Sequence, residues 1–98
     1  MSQLKVKVLF KSENHGGRQN LPLKLLSSRE YRPHVVVDLE SAYLGVCFIG
    51  QEGDLVVQEK CIATIDLIYN DVDYSSLISG TEFKILEGEK VVGSGVVM

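Results

Sequence analysis

Phe83-Lys84-Ile85-Leu86-Glu87-Gly88-Glu89-Lys90-Val91-Val92-Gly93-Ser94-Gly95-Val96-Val97 is the stretch on which the fold turns. Two runs rich in β-branched and large apolar residues flank Glu87-Gly88-Glu89. That arrangement predicts a β-hairpin with Gly88 at the turn position that needs positive φ. Gly93 and Gly95 stand two apart, so they share a face of the second strand. Glycines so placed mark a bend or a close approach of backbones, as at a barrel corner.

The same alternation recurs upstream. In residues 61–69, Cys61, Ala63, Ile65, Leu67 and Tyr69 fall on one side and Thr64 and Asp66 on the other. Period two predicts a half-buried strand. Residues 4–11 repeat it, with Val6, Val8 and Phe10 opposed by Lys5, Lys7 and Lys11. Val35-Val36-Val37 reads as a strand because branched side chains favour the pleated backbone. Residues 44–49 read as another, ended by Gly50, and Leu55-Val56-Val57 as a short one. Between them, residues 12–20 form a loop of turn formers, 51–54 a turn, and 70–81 a polar loop containing Gly80. Pro22 and Pro33 break any long helix in 21–34, which is expected to run extended over the surface, tucked down by Leu23, Leu25 and Leu26. Some six or seven short strands without a helix predict an all-β barrel or sandwich, with residues 1–98 as a single domain.

Charge is unevenly placed. Residues 1–34 hold seven Lys and Arg against two Glu, whereas 35–98 hold three Lys against eleven Asp and Glu. That split gives a basic face for an anionic partner, unless the fold interleaves distant strands and mixes the charges. No apolar run approaches the roughly 20 residues of a bilayer span. The start has no apolar secretory core, so a cytoplasmic protein with no membrane partner is expected. Cys47 and Cys61 lie in apolar runs and read as buried free thiols.

The motifs of catalysis are missing. There is no phosphate-cradling GxxxxGK[ST] loop, nucleophile elbow, HExxH or EF-hand pattern, and no zinc spacing. His15 and His34 sit beside Gly and Pro in loop-like sequence, and Asp71 and Asp73 in a polar loop, where carboxylates make poor general acids. The chain is expected to bind rather than catalyse, with no cofactor. Two motifs leave alternatives open. Gly16-Gly17-Arg18 is either a concave nest of N–H groups with a guanidinium beside it, suited to an anion, or a plain tight turn. Tyr31-Arg32-Pro33 offers either an exposed recognition pair or a tyrosine packed on the sheet with its hydroxyl bonded.

In order along the chain, Gly16-Gly17-Arg18, Tyr31-Arg32-Pro33, Leu44-Gly45, Ile65-Asp66-Leu67-Ile68, Gly80-Thr81-Glu82-Phe83-Lys84-Ile85-Leu86-Glu87-Gly88 and Val92-Gly93-Ser94-Gly95-Val96-Val97 resemble the third, C-terminal domain of bacterial translation elongation factor Tu. The resemblance covers nearly the whole chain. It implies a small closed antiparallel β-barrel of about six strands, present as a free-standing copy or an excised piece. In the family this barrel grips the T-stem backbone of aminoacyl-tRNA and packs on a GTPase domain. Carried over, Glu87 and Gly88 match the hairpin near the tRNA backbone, Arg18 and Arg32 the motif arginines, and His34 the polar position facing tRNA and the GTPase domain. Arg29 is a further basic candidate. The chain departs from the family at Glu89-Lys90, where the family has Gly-Arg, at Val35-Val36-Val37, where it is aromatic, and over residues 38–43, where it is threonine-rich. A carboxylate added beside RNA phosphates is unfavourable, so the expected partner is a protein, a GTPase domain or another translation-related protein. Aminoacyl-tRNA is the alternative.

Overall fold

A computed structural model describes residues 2–38 and 40–98. Met1, part of the start read above, and Leu39, within the 38–43 stretch, lie outside the described residues. The chain is all-β. Its strands are β1 (Ser2–Phe10), β2 (His34–Val37), β3 (Leu44–Gly45), β4 (Cys47–Gln51), β5 (Cys61–Leu67), β6 (Glu82–Glu87) and β7 (Lys90–Val97). Two single 3₁₀ turns, Glu13–His15 and Leu25–Ser27, interrupt the first long connection. No helix among the described residues is long and apolar enough to cross a membrane.

The seven strands form one antiparallel sheet, in the order β3-β2-β6-β7-β1-β5-β4, curled into an open half-barrel. The closed barrel expected from the resemblance is corrected here. β3 and β4 are the sheet's two edges, yet only Val46 separates them in sequence. Two backbone bonds beyond the ladders, Val46 N–H to Pro33 O (3.1 Å) and Phe48 N–H to Tyr31 O (3.0 Å), stitch this segment to the approach to β2. Pro33 has no N–H to return, so the seam carries isolated bonds and the ladder stops there.

Alternation places the core. Val6, Val8 and Phe10 of β1, Val35 of β2, Ile65 of β5 and Phe83 and Ile85 of β6 point into the curl and are essentially inaccessible. The hairpin has Glu87 paired with Lys90 and Gly88 at φ +63°, as its turn demands. Gly93 and Gly95 lie on the inner face, opposite Ile85 and Phe83. A Cβ on Gly93 would stand 2.7 Å from the Leu9 carbonyl oxygen, and one on Gly95 would meet the Phe83 ring. The close approach expected of this pair is therefore present. A register shift after Ile85 leaves Val92 as the extra residue of a bulge, its side chain buried.

Several local expectations are corrected. Residues 55–57 form no strand. Leu55 is buried, but Val56 and Val57 are exposed, and the chain turns at Gln58, which adopts φ +60° and gives its N–H to Phe10 O. Gly50 does not end its strand; it lies within β4, after a register shift past Ile49. Leu26 is fully buried and Leu25 packs against the core, whereas Leu23 is exposed. Asp66, on the polar side of β5, is nonetheless buried, and its Oδ1 has no hydrogen-bond partner among the described residues.

Gln51 ties the long connection to the sheet. Its Oε1 accepts the Leu26 N–H (2.9 Å), and its Nε2 donates to Leu23 O (2.8 Å) and Gly53 O (2.7 Å). Gln51→Ala would leave the Leu26 N–H unpaired beside a buried side chain, a cost of about 2 kcal/mol. Equilibrium urea unfolding should show that loss, and limited proteolysis should show faster cutting within residues 21–30. Unchanged cutting would mean the connection is held by Leu26 burial alone.

Candidate functional site

Three expected site residues converge. Tyr31 follows Arg29 and Glu30 and precedes the Pro33 seam, which turns its ring into the core, where it is 8% exposed. The ring stacks on Phe48 (5.7 Å between centroids) and meets Phe10 at 6.1 Å. Its hydroxyl donates to Glu87 Oε2 at 2.6 Å. Arg18, coming from the loop after β1, places its guanidinium 5.3 Å from the Tyr31 ring centroid and its Nε 2.7 Å from the same Glu87 oxygen. The buried Nε–H does not aim at that oxygen and forms no aligned hydrogen bond, so we treat the contact as Coulombic. Arg18 Nη1 donates to Asn20 O (2.6 Å). Burial raises the Tyr31 phenol well above its usual range; the hydrogen bond to Glu87 and that carboxylate's charge push the same way, against the opposing Arg18 cation. Of the two readings of Tyr31, packing with a bonded hydroxyl is what the geometry has.

The glycines beside Arg18 make a turn. Gly16 adopts φ +88° and gives its N–H to Glu13 O (3.1 Å); Gly17 gives its own to Ser12 O (2.8 Å). A Cβ on Gly17 would overlap the Lys11 carbonyl. Both N–H groups are thus consumed inside the loop, and the guanidinium is already faced by a carboxylate.

Arg32 and His34 lie at the β2–β3 end of the sheet, and Arg29 on the chain that leads to it. Arg29 is exposed, at φ +64°, and its carbonyl accepts a weak bond from the buried Cys47 thiol (3.5 Å). Arg32 is exposed between the two seam hydrogen bonds. Neither arginine makes an ion pair among the described residues. His34 is exposed at the start of β2, with its ring 5.7 Å from that of Tyr43. Its cross-strand neighbour is Gly45. The Tyr69 ring occupies the space that a side chain at Gly45 would fill, and the Tyr74 hydroxyl donates to Gly45 O (2.6 Å). Tyr43 and Tyr69 are each about half exposed, at 48% and 49%. Tyr43 was not singled out in the sequence, and Tyr69 was read as the last residue on the apolar side of a strand over 61–69; that reading is corrected, because β5 ends at Leu67 and Tyr69 beyond it is exposed. The available signal was Gly45, a glycine inside an apolar strand, which marks a close approach. Gly88 lies apart from this patch, at the hairpin tip beside Glu87.

His15 is exposed, its Nδ1 2.7 Å from Ser12 Oγ. Cys47 and Cys61 are free and buried, and burial pushes the Cys61 thiol up. Among the described residues no three His, Cys, Asp or Glu side chains gather as metal ligands would.

Fold and site together define a curled antiparallel β module with a partly buried, internally paired Tyr–Glu–Arg cluster and, apart from it, an exposed aromatic–arginine patch. No protein-family model matches this chain, and no curated protein matches it.

Proposed function

We propose that this chain is a non-catalytic, cytoplasmic protein-interaction module connected with translation, docking through the outer face that carries Arg32, His34, Tyr43 and Tyr69. The observation that carries the reading is the joint exposure of those rings with an arginine that makes no ion pair among the described residues, since aromatic and arginine side chains dominate binding energy at interfaces. The resemblance to the elongation factor Tu C-terminal domain supplies the partner class, a GTPase domain or another translation-related protein. Arg18 and Glu87 support a protein over RNA, because the guanidinium nearest the hairpin is neutralised within the chain.

The second reading is contact with the backbone of an aminoacyl-tRNA T-stem, favoured by the exposure of Arg29 and Arg32 without ion-pair partners among the described residues. Isotope-labelled protein titrated with the isolated GTPase domain of elongation factor Tu, and separately with a T-arm hairpin at two salt concentrations, distinguishes the two. The expected result is amide shifts at His34, Tyr43 and Tyr69 with the GTPase domain, and at least tenfold weaker binding by His34→Ala/Tyr43→Ala. Hairpin binding that falls steeply with salt and is lost in Arg32→Ala would replace this reading with the second. Binding to neither sinks the connection with translation.

A further inference from the structure

A second open surface lies on the outer faces of β1, β5 and β7. Because Val6, Val8 and Phe10 point inward, Lys7 and Leu9 point out. Lys7 is flanked by Ile62 of β5 and Val96 of β7, and Leu9 by Ser94. Two hollows open here. One, of about 250 Å³, is lined by Lys7, Leu9, Lys60, Glu82 and Val96 among others. The other, of about 410 Å³, is lined by Leu9, Lys11, His15 and Gln58. They share Leu9 and so adjoin as a trough, one hollow on either side of that side chain, along the outer face of β1.

The trough has a sign. Ion pairs occupy Lys5, Arg18, Lys24 and Lys84; among the described residues Lys7, Lys11 and Lys60 make none. Among the described residues Glu82 is the sole carboxylate lining it. Its floor is aliphatic, from Leu9 and Val96, and no aromatic ring lines it except the His15 imidazole. That imidazole is fixed at one end by Ser12 Oγ (2.7 Å) and the Gln58 amide (3.2 Å). Gln58 holds this place at φ +60°, a conformation that costs a non-glycine residue about 1 kcal/mol or more.

We propose that this trough binds an extended acidic segment of a partner protein, with carboxylates two residues to either side of an aliphatic side chain. The argument is spacing. Along an extended chain, side chains of one face repeat every second residue, roughly 6.8 Å. Lys7, Leu9 and Lys11 present cation, aliphatic and cation at that same repeat. A segment of the form acid-x-aliphatic-x-acid matches all three, and Lys60 beside Leu9 adds a third cation to the wall. Single-stranded nucleic acid is a poorer occupant, because its bases need aromatic platforms on which to stack. The proposal extends the interaction-module reading to a second surface. It shares no residue with the Arg32–His34 patch, so either can fail alone.

The test uses labelled protein and a seven-residue blocked peptide, Ser-Glu-Ser-Leu-Ser-Glu-Ser. The expected result is saturable amide shifts at Lys7, Leu9, Gln58 and Lys60. Lys7→Glu/Lys11→Glu should weaken binding at least tenfold, while Lys90→Glu, away from the trough, should leave it unchanged. All these lysines are on the surface, and a preserved amide spectrum confirms that each variant is folded. No shifts at millimolar peptide would overturn the proposal. So would equal binding by the isomer with adjacent glutamates, or equal weakening by Lys90→Glu. A heptaribonucleotide that displaces the peptide from the same residues would assign the trough to RNA instead. Concentration-dependent shifts there without peptide would assign it to a second copy of the chain.

Discussion

Gly93→Ala is expected to cost about 3 kcal/mol of folding stability, a large share of what a domain of this size has. The backbone of Gly93 is in an ordinary strand conformation, so the penalty is not one of dihedral angle. It is one of space. The added Cβ would stand 2.7 Å from the Leu9 carbonyl oxygen and 3.2 Å from the Phe10 Cα, both backbone atoms of the interior strand β1. Neither can rotate away as a side-chain tip would. Relief requires β7 to separate from β1, where Gly93 pairs with Phe10 and Gly95 with Val8. Gly88→Ala is the natural comparison. Its Cβ would enter open space, but its φ of +63° disfavours a side chain. That substitution should cost about 1 kcal/mol. Urea midpoints of the two variants at equal slope decide the matter. Equal losses would mean that β7 moves freely and that the glycine pair is not where the sheet is drawn tight.

How far the sequence carries depends on the range of the forces involved. The β6–β7 hairpin was legible because its turn, alternation and glycine pair are all local. β1 and β5 were legible from alternation for the same reason. The failed strand at residues 55–57 shows the limit: three apolar residues look like a strand, but the turn that ends them is made by Gln58 at positive φ, which no glycine announces. The open edge has a similar origin. Pro33 was visible, but that its missing N–H falls where the approach to β2, whose strand already pairs with β3, would have met β4 is a fact of register. The candidate site divides the same way. Arg32 and His34 stood out from their setting beside Pro33. Tyr43 and Tyr69 did not, since only the fold brings them to the edge beside His34 and Gly45.

Charge followed both of the alternatives left open. Three of the four ion pairs among the described residues, Lys5–Glu52, Arg18–Glu87 and Lys24–Asp54, join the basic first third of the chain to the acidic remainder, so interleaving mixes much of the charge. Lys7 and Lys11 escape because their neighbours across the sheet, Ile62 and Val92, bring no carboxylate. What survives of the asymmetry is therefore a narrow stripe on β1, with Arg29 and Arg32 on the approach to β2, rather than a basic half. Exposed pairs such as Lys5–Glu52 and Lys24–Asp54 contribute little to stability. The Arg18–Glu87 pair differs because a buried tyrosine shares its carboxylate.

Tyr31→Phe isolates that difference. At pH 7 the variant loses a 2.6 Å hydrogen bond to a carboxylate, expected to cost about 1.5 kcal/mol, the low end for a charged acceptor because Glu87 keeps access to water. The two proteins should then converge as the solution is made alkaline. In the unfolded chain the Tyr31 phenol ionises at its ordinary value of 10.0, whereas in the folded chain burial and the Glu87 charge hold the proton to higher pH. Above pH 10 the unfolded state therefore binds fewer protons than the folded one, and wild-type stability falls with rising pH. The fall is at most about 1.4 kcal/mol per pH unit for one proton. Phenylalanine has no proton to lose and lacks that contribution. Lysines and the remaining tyrosines titrate in both proteins and cancel in the difference. Urea unfolding of both at pH 7, 10 and 11.5 should show a wild-type advantage that is full at the first, reduced at the second and gone by the last. An advantage independent of pH would mean that the phenol is solvated in the folded chain, and that Glu87 is free to release Arg18 to an anionic partner.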